Sequence, residues 1–252
     1  MTAEIKYGIT LPYGDPRLIA KLAQSAESAG WDGVFVGDAI WCQDPLIQLT
    51  AAACATSRIR LGTMVLAVPL RQPRHLASES LALDNLSTGR LILGLGTGAT
   101  WMGWQGFPDE VTDTRTRAEM LDETIDILTH LHQSEQFDFS GKHYRLKLSA
   151  LDPIHFPPAT IQQPRVPIWI PGVWPRMKSM RRVLKCDGLL PQKMNAKGKF
   201  EEITPVDVAA MKAYIDANRT LTTPFDIVVE GQTTKLSPTE KADKLDTFRT
   251  AG

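Results

Sequence analysis

Thirteen consecutive residues, Leu86-Ser-Thr-Gly-Arg-Leu-Ile-Leu-Gly-Leu-Gly-Thr-Gly98, hold a helix end, a buried strand and a glycine-rich loop. Gly89 stands where a helix C′ residue needs positive φ, which glycine adopts without a Cβ clash. Leu91 to Leu95 is short and continuously apolar, the pattern of a strand covered on both faces. Gly96 and Gly98 then remove side chains at the carboxyl end of that strand, where parallel α/β folds place their sites. Such a segment constrains the chain toward a parallel sheet flanked by helices.

The rest of the chain keeps that rhythm. A first strand is expected over 5–11, ended by Pro12 and Gly14. Asp15 caps the helix that follows, Pro16 fits its first turn, and Leu18, Leu22 and Ala26 recur as its inner face. Further strands are expected over 33–36, 59–65, 91–95, 166–170, 187–190 and 225–230. Helices open at Asp44-Pro45 and at Gln72-Pro73, and others are expected over 117–131, around Met177 to Lys185, over 206–217 and over 238–251. In the helix near Met177, Met177, Met180 and Leu184 face inward, while Lys178, Arg181, Arg182 and Lys185 form a solvated basic stripe.

Phe137 to Leu146 breaks the alternation and reads as a hairpin about Ser140-Gly141, followed by Pro153, Pro157, Pro158 and Pro164. The organisation expected is one barrel domain over 1–252, with this hairpin and Pro-rich segment inserted at about 136–165 beside the barrel mouth. Seven β-then-α units are countable, whereas a closed (β/α)8 barrel needs about eight. Either the last strand and helix are missing at the C-terminus or the count is off by one. The fold class expected is therefore α/β, a (β/α)8 TIM barrel.

Composition narrows the function. The chain has 252 residues, with 28 Lys and Arg against 28 Asp and Glu, so nothing draws it to nucleic acid or to an acidic membrane surface. Cys42, Cys54 and Cys186 are scattered and odd in number, which argues against a disulfide framework. The first residues lack the basic and apolar regions of a signal peptide, and no apolar run is long enough to span a bilayer. These features read as a soluble intracellular protein, expected in the cytoplasm.

Five segments in order resemble the luciferase-like monooxygenase family, which includes bacterial luciferase and the F420-dependent oxidoreductases. They are Gly33-Val-Phe-Val-Gly-Asp38, Arg60-Leu-Gly-Thr-Met-Val65, Leu86 through Gly98, Gly141-Lys-His-Tyr144, and Gln163-Pro-Arg-Val-Pro-Ile-Trp-Ile170. Phe248-Arg-Thr-Ala-Gly252 is similar to the family's lead-in to its last strand. The resemblance implies a (β/α)8 barrel oxidoreductase or monooxygenase that binds FMN or coenzyme F420 at the carboxyl-end mouth. It also implies a homodimer, and a non-prolyl cis peptide at Met64-Val65 supporting the cofactor ring. The cofactor phosphate is expected near backbone N–H groups of Gly96, Thr97 and Gly98, and of Gly172, Val173 and Trp174, with Arg176 as a charged donor. Thr10, Asp38 and Trp41 are expected to face the reactive ring and substrate, with no proton-transfer role assigned.

Two departures bear on the chemistry. Some members carry a His directly after the acidic residue ending strand two, and this chain has Ala39 there; where luciferase has an Arg after strand four, this chain has Thr97. A non-catalytic flavin-binding or degenerate barrel is the alternative that these losses leave open.

Other readings are weaker. Gly94-Leu-Gly-Thr-Gly-Ala99 fits the dinucleotide pattern, but Trp101 to Pro108 cannot readily open the helix that pattern needs. His130 and His132 lie two apart on a helix, diverge, and read as surface residues rather than metal ligands. His75 opens a helix near the mouth. Asp109 and Glu110 are neighbours in a loop, a solvated turn more than an acid–base couple. No G-x-S-x-G elbow occurs. A barrel lyase would need a Lys at a strand's carboxyl end, for which Lys193 is the near candidate. Trp41, Trp101, Trp104 and Trp174 follow strand ends and could wall a planar ring, whereas Trp31 and Trp169 read as packing.

Overall fold

The computed structural model describes residues 5–39, 43–107, 110–232 and 235–251. They fall into two compact units, Lys6–Pro167 and the segment from Ile168 onward.

The first unit alternates strands and helices in the order β1 (Gly8–Thr10), α1 (Pro16–Ser28), β2 (Gly33–Val36), α2 (Pro45–Ala55), β3 (Arg60–Thr63), β4 (Leu66–Ala67), α3 (Pro73–Ser87), β5 (Leu91–Gly96) and α4 (Thr114–His132). A hairpin of β6 (Asp138–Ser140) and β7 (Arg145–Lys147) follows. β1, β2, β3 and β5 pair in that order, all parallel, and β4 also lies parallel on β5. Leu91, Leu93 and Leu95 are fully buried. Each contributes roughly 1.5–3 kcal/mol by leaving water.

Local chemistry starts and stops these elements. The Asp15 carboxylate accepts from Arg17 N at 2.8 Å and Leu18 N at 3.1 Å, and Pro16 occupies N1, where no N–H is needed. Asp44 and Pro45 repeat the device at α2. α3 ends on two left-handed residues, Thr88 at φ 57° and Gly89 at φ 76°. Arg90 then spends every guanidinium N–H on oxygens at the ends of α3 and α2 and in the connection between α2 and β3. Its Nε donates to Ser87 O, Nη1 to Thr56 Oγ1 and Ile59 O, and Nη2 to Ala53 O and Thr56 O. The Glu27 carboxylate accepts from the N–H groups of Ser57, Arg58 and Ile59, holding the amino end of β3 against α1.

The second unit contains β8 (Ile168–Trp174), α5 (Met177–Val183), β9 (Gly188–Met194), β10 (Phe200–Glu201), α6 (Pro205–Asn218), β11 (Asp226–Ile227) and α7 (Pro238–Ala251). β8 and β11 both pair parallel with β9, and β10 folds back antiparallel on it. Thr204 and Asp207 form a capping box at α6. Arg219 ties the end of α6 to Cys186 O, Thr223 and Asp187.

Several boundaries differ from the sequence reading. The third strand is interrupted between Thr63 and Leu66. The fifth and sixth strands continue to Trp174 and Met194, because six consecutive residues of β8 find register partners on β9. The inner face of α1 is Ile19, Ala23 and Ala26, with Leu18 turned outward. The sequence carries both stripes at helical spacing, and burial rather than spacing distinguishes them. Met177 is exposed while Met180 is fully buried. None of the described residues of α7 is buried.

Candidate functional site

The carboxyl ends of β2 and β5 meet the segment Thr63–Ala67, where Met64 N donates to Val36 O at 2.8 Å. Its Met64–Val65 peptide is cis. Thr63 is fully buried and its hydroxyl donates to Gly94 O at 2.8 Å. A Cβ on Gly94 would lie 2.0 Å from Thr63 O, and one on Gly96 2.7 Å from Val65 Cγ2. The two glycines are therefore what lets β5 lie against this segment, and any side chain there would occupy the same space. Leu66 and Ala67 pair in turn with Leu95 and Gly96.

Asp38 follows the end of β2 and is almost entirely engaged. Its Oδ2 accepts from Ala67 N at 3.0 Å and lies 3.5 Å from Arg71 Nη2, while Arg71 Nη1 bonds Asp44 at 2.9 Å. Burial alone would lower the Arg71 pKa, but the Asp38 and Asp44 carboxylates outweigh it and raise it. The Asp38 carboxylate thus braces the backbone two residues beyond Val65 instead of standing free. Thr10 ends β1 and is exposed. Trp41 lies outside the described residues.

The loop after β5 is held from behind. Arg117, on the first turn of α4, is 3% exposed, and its Nη2 donates to both Thr97 O and Gly98 O. Its guanidinium stacks 4.0 Å from the ring centre of Trp104, itself 2% exposed. Desolvation lowers the pKa of Arg117. A Cβ on Gly98, whose φ is 71°, would meet Ala67 Cβ at 2.7 Å and Trp104 Cζ2 at 2.8 Å. Trp104 is accordingly an interior support for the loop. Trp101 is 78% exposed.

In the second unit, Gly172, Val173 and Trp174 belong to β8 rather than to a loop. A Cβ on Gly172 would lie 2.4 Å from Leu189 Cδ1, so glycine there serves packing against β9. Val173 N donates to Ser179 Oγ at 3.0 Å. Trp174 meets Tyr214 edge to face, ring centres 6.2 Å apart. Arg176 is exposed and forms the N-cap of the seven-residue α5. Lys193 is paired with Asp207 at 3.0 Å. A cavity of about 240 Å³, which the sequence reading missed, opens at the carboxyl ends of β9 and β11, lined by Leu190, Gln192, Ile203, Val228, Glu230 and Phe248 among others.

His132 corrects the reading of a surface residue. It is fully buried, its Nε2 lies 2.9 Å from Ser80 Oγ, and its Nδ1 has no hydrogen-bond partner. Burial, helped by the positive charge of Arg165, lowers its pKa to about 4. His75 is exposed at the start of α3, and Trp31 is exposed as well. Asp109 lies outside the described residues. The hairpin tip docks on α4: the Glu123 carboxylate accepts from the N–H groups of Lys142, His143 and Tyr144. Lys142, His143 and Arg115 hold Glu119 at about 2. Among the described residues no three His, Cys, Asp or Glu side chains form a metal-ligating group, and no helix is long and apolar enough to cross a membrane.

Parallel strands with intervening helices define an α/β fold. The chain belongs to the luciferase-like monooxygenase family, whose model matches residues 3–242. It is 35% identical over 208 residues to a Mycobacterium tuberculosis protein named as a coenzyme F420-dependent oxidoreductase. That match takes in 76% of this chain and 56% of the relative. It is 33% identical over 145 residues to the F420-dependent glucose-6-phosphate dehydrogenase of Mycobacterium avium, covering 52% of this chain and 42% of that one. The chain thus spans about half the length of these curated relatives. Among solved structures, coenzyme F420-dependent tetrahydromethanopterin reductase from Methanopyrus kandleri superposes with a TM-score of 0.70 at 22% identity, over 90% of this chain and 65% of that one. The FMN complex of a type II Baeyer–Villiger monooxygenase from Pseudomonas putida gives 0.67 at 19% identity, over 89% and 66%. These likenesses show the fold.

Proposed function

We propose that this chain carries the cofactor-binding part of an oxidoreductase that uses coenzyme F420 or FMN on a small organic substrate. The observation that carries the reading is the part-buried loop Thr97–Ala99, with Gly98 at its turn, at the carboxyl end of β5, where α/β barrels bind ligands. Family membership and the F420-dependent relatives support it. The residues fit the phosphate of the group: a phosphate needs N–H groups at a loop or nest, and Thr97–Ala99 is such a loop.

Met64, Val65, Gly96, Thr97 and Gly98 would hold the cofactor from the first unit. Gly172, Val173, Trp174 and Arg176 of the second unit are proposed separately as cofactor-binding residues. Thr10, Asp38 and Trp41 are proposed for the substrate side. When bound, the cofactor supplies hydride or oxygen chemistry; the protein binds it, orients it and excludes water. Asp38 shapes the rim through Ala67 and Arg71, and no proton transfer is assigned to it. Pairing of two copies is part of the same reading, by likeness to the family, and light scattering tests it.

The test is a fluorescence and absorbance titration with coenzyme F420 and with FMN, followed by substrate-dependent reoxidation of the reduced cofactor. Saturable binding of one of them is expected. Failure to bind either overturns the reading; binding without turnover across a broad substrate panel favours a carrier.

A further inference from the structure

We propose that Arg117 is a positioning residue that shapes the loop after β5 into an anion-binding nest without touching the anion itself. The inference rests on the function proposed above. It starts from one nitrogen: Arg117 Nη2 takes the carbonyl oxygens of both Thr97 and Gly98. Neither of the peptides that follow these carbonyls is cis. In a planar trans peptide the C=O and N–H point to opposite sides. Two successive carbonyls drawn to one buried nitrogen therefore turn two successive N–H groups, those of Gly98 and Ala99, away from it together. Gly98 has a left-handed φ of 71° and Ala99 an extended backbone at φ −104°, ψ 104°, so the two amides flank one positive-φ residue.

The surroundings fix which side is which. Arg117 and Trp104 are buried, whereas Thr97, Gly98 and Ala99 are only partly so. The carbonyls face the buried Arg117 and the amides face away from it, on a part-buried loop. Arg117 is stacked on Trp104 and committed to the two carbonyls, so it supplies its charge from behind the loop. Gly98 has contacts on its other sides too: a Cβ there would press on Ala67, whose N–H Asp38 holds. The ligand class assigned to the nest is a phosphate monoester or diester on the cofactor.

The experiment compares affinities for FMN and for riboflavin, which differ by the phosphate alone, and for coenzyme F420 and the same deazaflavin lacking its phosphate-linked tail. Wild-type protein, Arg117→Met and Arg117→Lys are titrated by fluorescence, with folding checked by thermal melting. Wild type prefers the phosphorylated member. Arg117→Met loses about tenfold or more for it while its affinity for the phosphate-free member stays within about twofold. Arg117→Lys keeps the charge but not the fork, and falls between the two; it carries the same comparison where Arg117→Met does not fold. Equal losses for both members, no loss for either, or a wild type indifferent to the phosphate overturns the inference while leaving the proposed function standing. A wild type that binds none of the four compounds removes the proposed function, and this inference with it.

Discussion

Asp38 and Ala67 are joined by a hydrogen bond of 3.0 Å from the Ala67 N–H to the Asp38 carboxylate, across 29 residues of chain. The bond ties the end of β2 to β4, and Arg71 neutralises the same carboxylate from 3.5 Å. Asp38→Ala strands the Ala67 amide and leaves Arg71 with Asp44 as its carboxylate partner. The expected cost is about 1–2 kcal/mol, that of leaving one buried donor unsatisfied and weakening one ion pair. Asp38→Asn keeps an acceptor for Ala67 and costs roughly half of that. Urea denaturation checks the order; equal stability of Asp38→Ala and wild type would refute the bracing role.

Gly94 and Gly30 separate space from backbone conformation. A Cβ on Gly94 meets Thr63 O at 2.0 Å, while one on Gly30 meets nothing within 4 Å but sits at φ 83°. Gly94→Ala should cost about 3 kcal/mol or more, because two backbones must part. Gly30→Ala should cost about 1 kcal/mol for the left-handed conformation alone. Reversal of that ranking in thermal melting would count against the close approach of β5 to Thr63.

His132 makes stability depend on pH. Its proton affinity falls from 6.5 when free to about 4 in the buried site beside Ser80. Between these values the unfolded chain binds more protons than the folded one, so stability rises with pH from about 4 to 6.5 and is flat above. The full span is on the order of 3 kcal/mol. Urea midpoints at pH 4.5 and 7.5 should differ, and His132→Gln should flatten the difference. An unchanged slope in that variant would place its origin elsewhere.

Glu123 latches the hairpin. Its carboxylate accepts from the N–H groups of Lys142, His143 and Tyr144, and a Cβ on Gly141 would lie 2.3 Å from Glu123 Oε2. Glu123→Ala should cost about 1–2 kcal/mol and loosen the segment 138–147 first. Limited proteolysis reads this directly: cleavage within the hairpin should precede cleavage elsewhere. An unaltered digestion pattern would contradict the latch.

Local signals carried much of the architecture. The strand at 33–36 and the helix at 238–251 fall where the pattern puts them, and Asp15 and Asp44 cap α1 and α2. Leu91 to Leu95 extends by one residue to Gly96. Such features depend on neighbours within a turn: a cap carboxylate, a proline at N1, a glycine beyond the last helical residue. The glycines of the rim were legible for the same reason, because a missing side chain is visible without a fold.

Partner choice was not legible. His132 reads as a surface residue until helix packing sets it beside Ser80, 52 positions away. Arg117 carries no local sign that its guanidinium turns inward to Thr97, 20 positions before it. β8 reaches Trp174 because β9 offers register partners, not because residues 171–174 look like a strand. The amino-acid order by itself determined where the backbone turns, starts and stops, since those preferences are settled within a few bonds. Only the tertiary structure decided which buried charge meets which carbonyl, because desolvation makes an unpaired polar group costly and the partner that relieves it is supplied by distant chain.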